Sequence, residues 1–383
     1  MNNIRKIAII GAGISGMALA ILAKRKGFQV CVYERNHNIS SIGAGVTLWP
    51  NAMFVLEKMG LSHKIEDVGG HPTFMRQFDK NGVQKSSLDI EEVNALCGTS
   101  SVTILRHHLM KVLHEALEDV DVKIHFNHPI ATKEIDKIRE DVDLVVGCDG
   151  RMNSSVRQYL YADGASPLYQ GFINIIGISK LTSNMSDQAI QDYRFNNDKE
   201  KQERFGIVPI KDGLCFWAAA WRTDMNKKRP LSDWYQEMHQ RFRLWPTSVQ
   251  NVLNNYDKAS LNRIFVHDLD PLPYWNKENV LMIGDAAHAA LPTSGQGACQ
   301  ALEDAWHLTQ CLDKEGNQKS EMDLHCLLTQ FFQKRISKTS TAQIIGRQAA
   351  QQIFSAQTEP DIAAKRISAR QLSHLWMQGL EGI

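Results

Sequence analysis

No two cysteines in this 383-residue chain are spaced C-x-x-C. The seven present, Cys31, Cys97, Cys148, Cys215, Cys299, Cys311 and Cys326, are odd in number and scattered. That pattern speaks against a disulfide framework, a zinc site and a dithiol redox centre, and it fits a reducing compartment, so the cytoplasm is the expected location. An excess of one charge is also missing. Forty-three Lys and Arg stand against 42 Asp and Glu, a formal net charge of +1. Nucleic acid and charged surfaces are therefore poor partners. There is no low-complexity tract and no internal repeat. No apolar run is long and unbroken enough to span a bilayer. The nearest approach, Ile7 to Ala23, follows Arg5 and Lys6 as a signal peptide would. Gly11, Gly13, Ser15 and Gly16 interrupt it and three basic residues close it, so it reads as strand, turn and helix.

What is present begins with that turn. Ile7 to Ile10 form a short β-rich run, followed by G-x-G-x-x-G at Gly11, Gly13 and Gly16, with Ser15 inside the turn. Met17, Ala20, Ile21 and Lys24 then recur at helical spacing, and a second strand ends at Glu34 and Arg35. The glycines turn the chain, let backbone N–H groups approach a pyrophosphate and let helix and strand pack closely. The helix start favours the phosphate charge, and Glu34 lies where a carboxylate would accept from ribose hydroxyls. An adenine dinucleotide is expected; this loop does not distinguish NAD from FAD.

A second glycine turn resolves that choice. "NVLMIGDAAHAALPTSGQGACQ" reads as a strand ending at Gly284, with Asp285 at its carboxyl end. Gly295, Gln296 and Gly297 allow bare backbone to approach a ring, and a helix starts from Ala298. Asp285 can accept from a ribityl or ribose hydroxyl, and the helix N-terminus would stabilise the negative charge of a reduced flavin. FAD is long enough to need two such grips. Between them lie Gly43 and Gly45 in a flexible turn, Arg106 at the start of a helix, and a strand, turn and helix through Asp149, Gly150 and Arg157. Arg106 fits a phosphate or flavin-edge contact and a solvated helix start equally well.

With these residues in place the chain resembles the class A FAD-dependent monooxygenases, the family of salicylate, hydroxybenzoate, urate and ubiquinone-pathway hydroxylases. Gly11 to Gly16 with Glu34 match its ADP-binding fingerprint. Asp149-Gly150 with Arg157 match its D-G motif, which in the family touches FAD and the transient nicotinamide. Gly284-Asp285, Pro292, Gly295-Gln296-Gly297 and Glu303-Asp304-Ala305 match its G-D motif. The D-G segment is one residue longer than D-G-x-x-S-x-x-R, which leaves either Ser154 or Ser155 as the motif serine. The resemblance implies FAD as cofactor, NADH or NADPH as reductant, and transfer of one oxygen of O2 to a small aromatic or heteroaromatic ring through a flavin C4a-hydroperoxide. It places Pro292 beside the reacting flavin. It also implies an α/β and α+β fold: a Rossmann-like FAD-binding domain with an inserted mixed-sheet substrate domain and C-terminal helices. The expected boundaries are 1–70, 98–165 and 264–320 for the discontinuous FAD-binding domain, 71–97 and 166–263 for the substrate domain, and 321–383 for the C-terminal helices.

The substrate side is less marked. Residues 169–222 alternate like strands. Arg204 opens an R-x-G-x-x-P run similar to one that faces substrate in some family members, and it is a candidate to hold an anionic or carbonyl-bearing ring. Phe216, Trp217 and Trp221 are candidates for a pocket wall or simply for core, and Asn174 and Tyr193 are weaker candidates. His288 reads as structural. No metal site and no general base stand out, and a monomer or homodimer is expected. A flavin epoxidase and a monooxygenase that inactivates polycyclic compounds remain alternatives, as does a non-catalytic binding protein on the same fold.

Overall fold

Lys6–Ile10 is buried on both faces after its first residue, as a central strand covered by helices must be. This is β1. The chain continues through α1 (Ile14–Arg25), β2 (Gln29–Tyr33), β3 (Gly45–Leu48), α2 (Pro50–Lys58), α3 (Ser62–Val68), β4 (Phe74–Asp79), β5 (Gln84–Asp89), α4 (Ile90–Cys97), β6 (Val102–Leu105) and α5 (Arg106–Asp119). Next come β7 (Ile124–His125), α6 (Ile135–Glu140), β8 (Leu144–Gly147), α7 (Ser155–Tyr161), β9 (Leu168–Lys180), β10 (Ala189–Phe195), β11 (Glu203–Pro209), β12 (Leu214–Arg222), α8 (Leu231–Phe242) and α9 (Thr247–Asn254). The last elements are β13 (Asn262–Asp268), β14 (Asn276–Lys277), β15 (Val280–Met282), α10 (Asp285–His288), α11 (Gly297–Asn317), α12 (Leu324–Phe354) and α13 (Ala369–Met377). The computed structural model describes residues 5–39, 43–162, 164–182, 188–195, 202–317, 323–354 and 367–380. No helix among them is long and apolar enough to cross a membrane.

The first sheet has the order β14-β15-β8-β1-β2-β7, and all its pairings are parallel except β14–β15. Strand order reverses at β1, with β2 on one side and β8 on the other. Ligand crevices in open α/β sheets lie at such a point, outside the carboxyl ends of the strands. The three glycine-bearing turns follow β1, β8 and β15 and so converge there.

The second sheet has the order β13-β9-β12-β11-β10-β4-β5 and is antiparallel except for β4–β10. Two distant segments build it, which makes it mixed. β13 pairs with β9 from Asn262 to Asp268, so residues 264–268 belong to this sheet and not to the first, as the sequence boundary would have it. Side-chain alternation divides its two faces. Trp221 is fully buried against Trp234 and Phe242 of α8, and Trp217 against Phe205 and Tyr256, as core residues and not as pocket walls. Each such burial contributes roughly 1.5–3 kcal/mol. Tyr193 lies on the same side, its hydroxyl on Gln191 and Ser248. Phe216, Ala218 and Ala220 alternate to the opposite face, where Phe216 meets Gly45.

Candidate active site

The first turn is shaped by what it lacks. Gly11 has φ +106°, and a Cβ there would lie 2.3 Å from the Cys148 carbonyl oxygen. A Cβ on Gly16 would lie 2.0 Å from the carbonyl oxygen of Gly11. These contacts press α1 onto the ends of β1 and β8. Gly13 precedes the first residue of α1, and a Cβ there finds its nearest neighbour only at 3.9 Å, so this side of the turn is open. Glu34 is buried; one carboxylate oxygen accepts from the Ala12 N–H at 2.9 Å and the other from Asn36 N–H and Nδ2 at 2.9 and 2.6 Å. It therefore fixes the loop from within. Arg35 reaches the D-G turn, donating to the carbonyls of Asp149 at 2.7 Å and Asn153 at 3.3 Å. Ser15 is buried where a Cβ on Gly284 would approach its Oγ to 2.7 Å, so the first and third turns interlock.

The D-G turn closes on itself. Asp149 accepts from Ser154 Oγ at 2.6 Å, Ser155 Oγ at 3.0 Å and the Val156 N–H at 3.3 Å, and burial raises its pKa. Both serines that the extra residue leaves in question thus bind Asp149, and Ser154 also caps α7 by accepting from the Arg157 N–H at 2.9 Å. Both Asp149 oxygens are used within the turn, so Asp149 acts on the site by shaping it. Arg157 is buried and donates to the carbonyls of Ala165, Ala286, Gly150 and Arg151, tying the D-G and G-D turns together.

Asp285 follows Gly284, which has φ +61°. Its Oδ2 takes Arg151 Nε at 3.2 Å and Nη2 at 3.0 Å, and its side chain stays 35% exposed. Burial opposes its ionisation, but Arg151, His288 and Arg106 outweigh that and hold its carboxyl below the usual range. Arg106 opens α5 with its side chain along Gly43, and its Nε is buried without a hydrogen-bond partner. Burial lowers its pKa and Asp285 opposes that. An unpaired buried guanidinium N–H is costly, and an anionic or carbonyl ligand would satisfy it. Gln296 accepts from Asn51 at 2.9 Å and Gln300 at 3.0 Å through Oε1, while its buried Nε2 also lacks a partner. A Cβ on Gly297 meets nothing within 4 Å. Pro292, Gly295 and Gly297 are exposed, and Gly297 and Ala298 open α11. Open space over Gly13 and Gly297, orphaned donors on Arg106 and Gln296, and a helix start between them fit FAD.

Behind this turn lies a buried network that motif reading reached only in part. Arg335 of α12 donates to Glu303 at 2.6 Å, Asp304 at 2.7 Å and Gln300 Oε1 at 2.6 Å. Lys338 pairs with Glu303 at 2.9 Å. Asp304 also takes the Gly284 N–H at 2.8 Å and His288 Nε2 at 2.5 Å, which makes His288 structural. Arg335 and Lys338 sit outside every motif.

On the Phe216 face of the second sheet, Arg204 donates to Asp192 at 2.7 Å, and Arg194 lies 3.4 Å from the other Asp192 oxygen. Burial opposes ionisation of Asp192, but the two arginines hold its carboxyl below the usual range. Asp192 stands opposite Gly206 in register, and the Arg204 Nη2 comes to 3.9 Å from where a Cβ on Gly206 would be. The guanidinium therefore folds over a bare backbone, one row from Phe216. Asn174 shares this face, two strands from Arg204. Asp192 and Arg194 were not foreseen.

Residues 5–325 match the FAD binding domain family. An aurachin C monooxygenase/isomerase of Stigmatella aurantiaca is 29% identical over 318 residues, covering 81% of each chain. A FAD-dependent urate hydroxylase of Mycolicibacterium vanbaalenii is 27% identical over 78% of each chain. A 6-hydroxynicotinate 3-monooxygenase of Bordetella bronchiseptica is 29% identical over 82% of this chain and 84% of its own. Among solved structures, Klebsiella pneumoniae HpxO in complex with FAD and uric acid superposes with a TM-score of 0.80 at 20% identity, over 94% of this chain and 90% of that one. The turns that would grip FAD, the match along most of the chain and the monooxygenase relatives agree: this chain belongs to the FAD binding domain family, among the class A FAD-dependent monooxygenases.

Proposed function

We propose that the chain hydroxylates a small aromatic or heteroaromatic ring carrying an anionic or carbonyl oxygen, with NADH or NADPH as reductant and O2 as oxygen donor. The Arg204 guanidinium carries this reading: paired with Asp192, it lies over the bare backbone of Gly206, one row from Phe216 on the same face of the sheet. The urate and 6-hydroxynicotinate enzymes among the relatives support a heteroaromatic ring. Gly11 to Gly16 would hold the pyrophosphate, Glu34 the ribose, Asp285 a ribityl hydroxyl, and Pro292 to Ala298 the flavin. Bound flavin supplies the relay of electrons from nicotinamide to O2 and delivers the oxygen. The protein supplies position and charge. Arg204 orients the ring by a charge-assisted bond, and Phe216 walls it. The local positive charge favours loss of a proton from a ring hydroxyl to water, which makes the ring electron-rich without a dedicated base.

The test is NAD(P)H oxidation with ring carboxylates and hydroxy-heteroaromatics against their methyl esters and ethers, with product mass measured. Anionic rings are expected to speed oxidation and return a product one oxygen heavier. Arg204→Gln is expected to raise KM for them about 10- to 100-fold, the loss of one charge-assisted bond. Equal stimulation by acids and esters, or an unchanged KM in Arg204→Gln, would sink this reading.

A further inference from the structure

We propose that Arg151, in the D-G turn that is one residue longer than the family pattern, is the positioning residue that fixes the Asp285 carboxylate as an acceptor for a cofactor hydroxyl. Asp149 bonds to Ser154, Ser155 and Val156, which closes the far end of the turn onto α7. Gly150, with φ +83°, starts its near end, so the added length emerges between them. Arg157 donates to the Arg151 carbonyl and pins that backbone. The Arg151 side chain is then held from two further elements: Nε and Nη2 on Asp285 Oδ2 and, at 3.2 Å, Nη1 on the carbonyl of His267 in β13. Oδ2 is thereby saturated, while Oδ1 receives no hydrogen bond among the described residues.

The titratable and charged groups facing Asp285 come from four elements: Arg151 after β8, Arg106 of α5, Arg157 of α7 and His288 of α10. Of these, Arg151 alone is hydrogen-bonded to the carboxylate. Burial works against the charge, and Arg151 is the strongest group opposing it. Without Arg151 the carboxyl takes up a proton at higher pH and gives up a charge-assisted acceptor. The inference rests on Asp285 being a cofactor ligand, and the experiment separates the two claims.

FAD binding to the purified protein is followed by quenching of flavin fluorescence from about pH 8 to about pH 5.5, a window in which neither the pyrophosphate nor the isoalloxazine titrates. Relative to the unsubstituted protein, Arg151→Met is expected to bind within a few-fold at the upper end and to weaken further toward the lower end, as the carboxyl loses the strongest group holding it ionised. Arg151→Lys should restore the flat profile. Asp285→Ala should bind weakly at every pH, with no added slope. If Arg151→Met does not fold, Arg151→Gln keeps hydrogen-bonding donors while removing the charge, and the same pH-dependent loss is expected. An Arg151→Met or Arg151→Gln profile parallel to that of the unsubstituted protein overturns the proposal, because a merely structural role would lower affinity equally across the range. Arg151→Lys behaving like Arg151→Met also overturns it. Tight binding by Asp285→Ala would instead refute the role of Asp285 itself.

Discussion

His307 shows at the scale of one residue what the buried charge network demands. It lies on α11 among Arg335, Glu303 and Lys338, is buried, and has its pKa pushed down to about 3, first by burial and then by Arg335. The folded protein therefore holds it neutral, whereas the unfolded chain protonates it near the ordinary value of about 6.5. The unfolded state binds the extra proton between those limits, so stability is full above about pH 6.5 and is lost as pH falls toward about 3. The loss is on the order of a few kcal/mol. Asp304, with its carboxyl held low by His288 and Arg335, adds to acid sensitivity only below the ordinary carboxylate range. Urea unfolding at about pH 7 and about pH 5 should show the protein less stable at the lower value, and His307→Phe should flatten that difference. Equal slopes in the two proteins would show that His307 is not the acid-sensitive group.

Elements show why some of the site was legible in the sequence and some was not. The glycine turns were readable because their backbone demands are local. Gly11 and Gly295 sit at positive φ, and Gly16 admits no side chain, so the residue type itself records the geometry. Phe216 was readable as a candidate, but telling it from Trp217 and Trp221 needed the face that α8 and α9 cover. Asp192 with Arg194, and Arg335 with Lys338, left no local signature. Their partners come from other strands and helices, and a charged residue in a sequence looks the same whether water or another buried charge surrounds it. The contribution of α12 follows from this. Arg335→Met would leave Glu303 and Asp304 fully buried without their shared cation, a loss of about 3–5 kcal/mol. A thermal melt should show a large drop, with flavin loss accompanying it because Asp304 also holds the Gly284 N–H at the head of the G-D turn. A melt within a degree or two of the unsubstituted protein would show that the network is not what holds α12 to the site.

At the scale of the molecule, function arises where one sheet faces the other. The first sheet presents three turns at the carboxyl ends of β1, β8 and β15, and its strand order alone places a crevice there. The second sheet lays Phe216 against Gly45, close enough that a Cβ on Gly45 would lie 2.2 Å from the ring. It thereby brings the Arg204 cluster to the same opening. On the proposed reading neither half holds the whole chemistry: the first would grip FAD, and the second would select the ring through Arg204. The measurement that tests this most directly is the visible spectrum of the purified protein, followed without oxygen as NADH or NADPH is added with an anionic aromatic ring, and then with oxygen readmitted. Flavin bands are expected to bleach faster when the ring is present and to return with oxygen as a hydroxylated product forms. A protein that stays colourless even after FAD is supplied would contradict it.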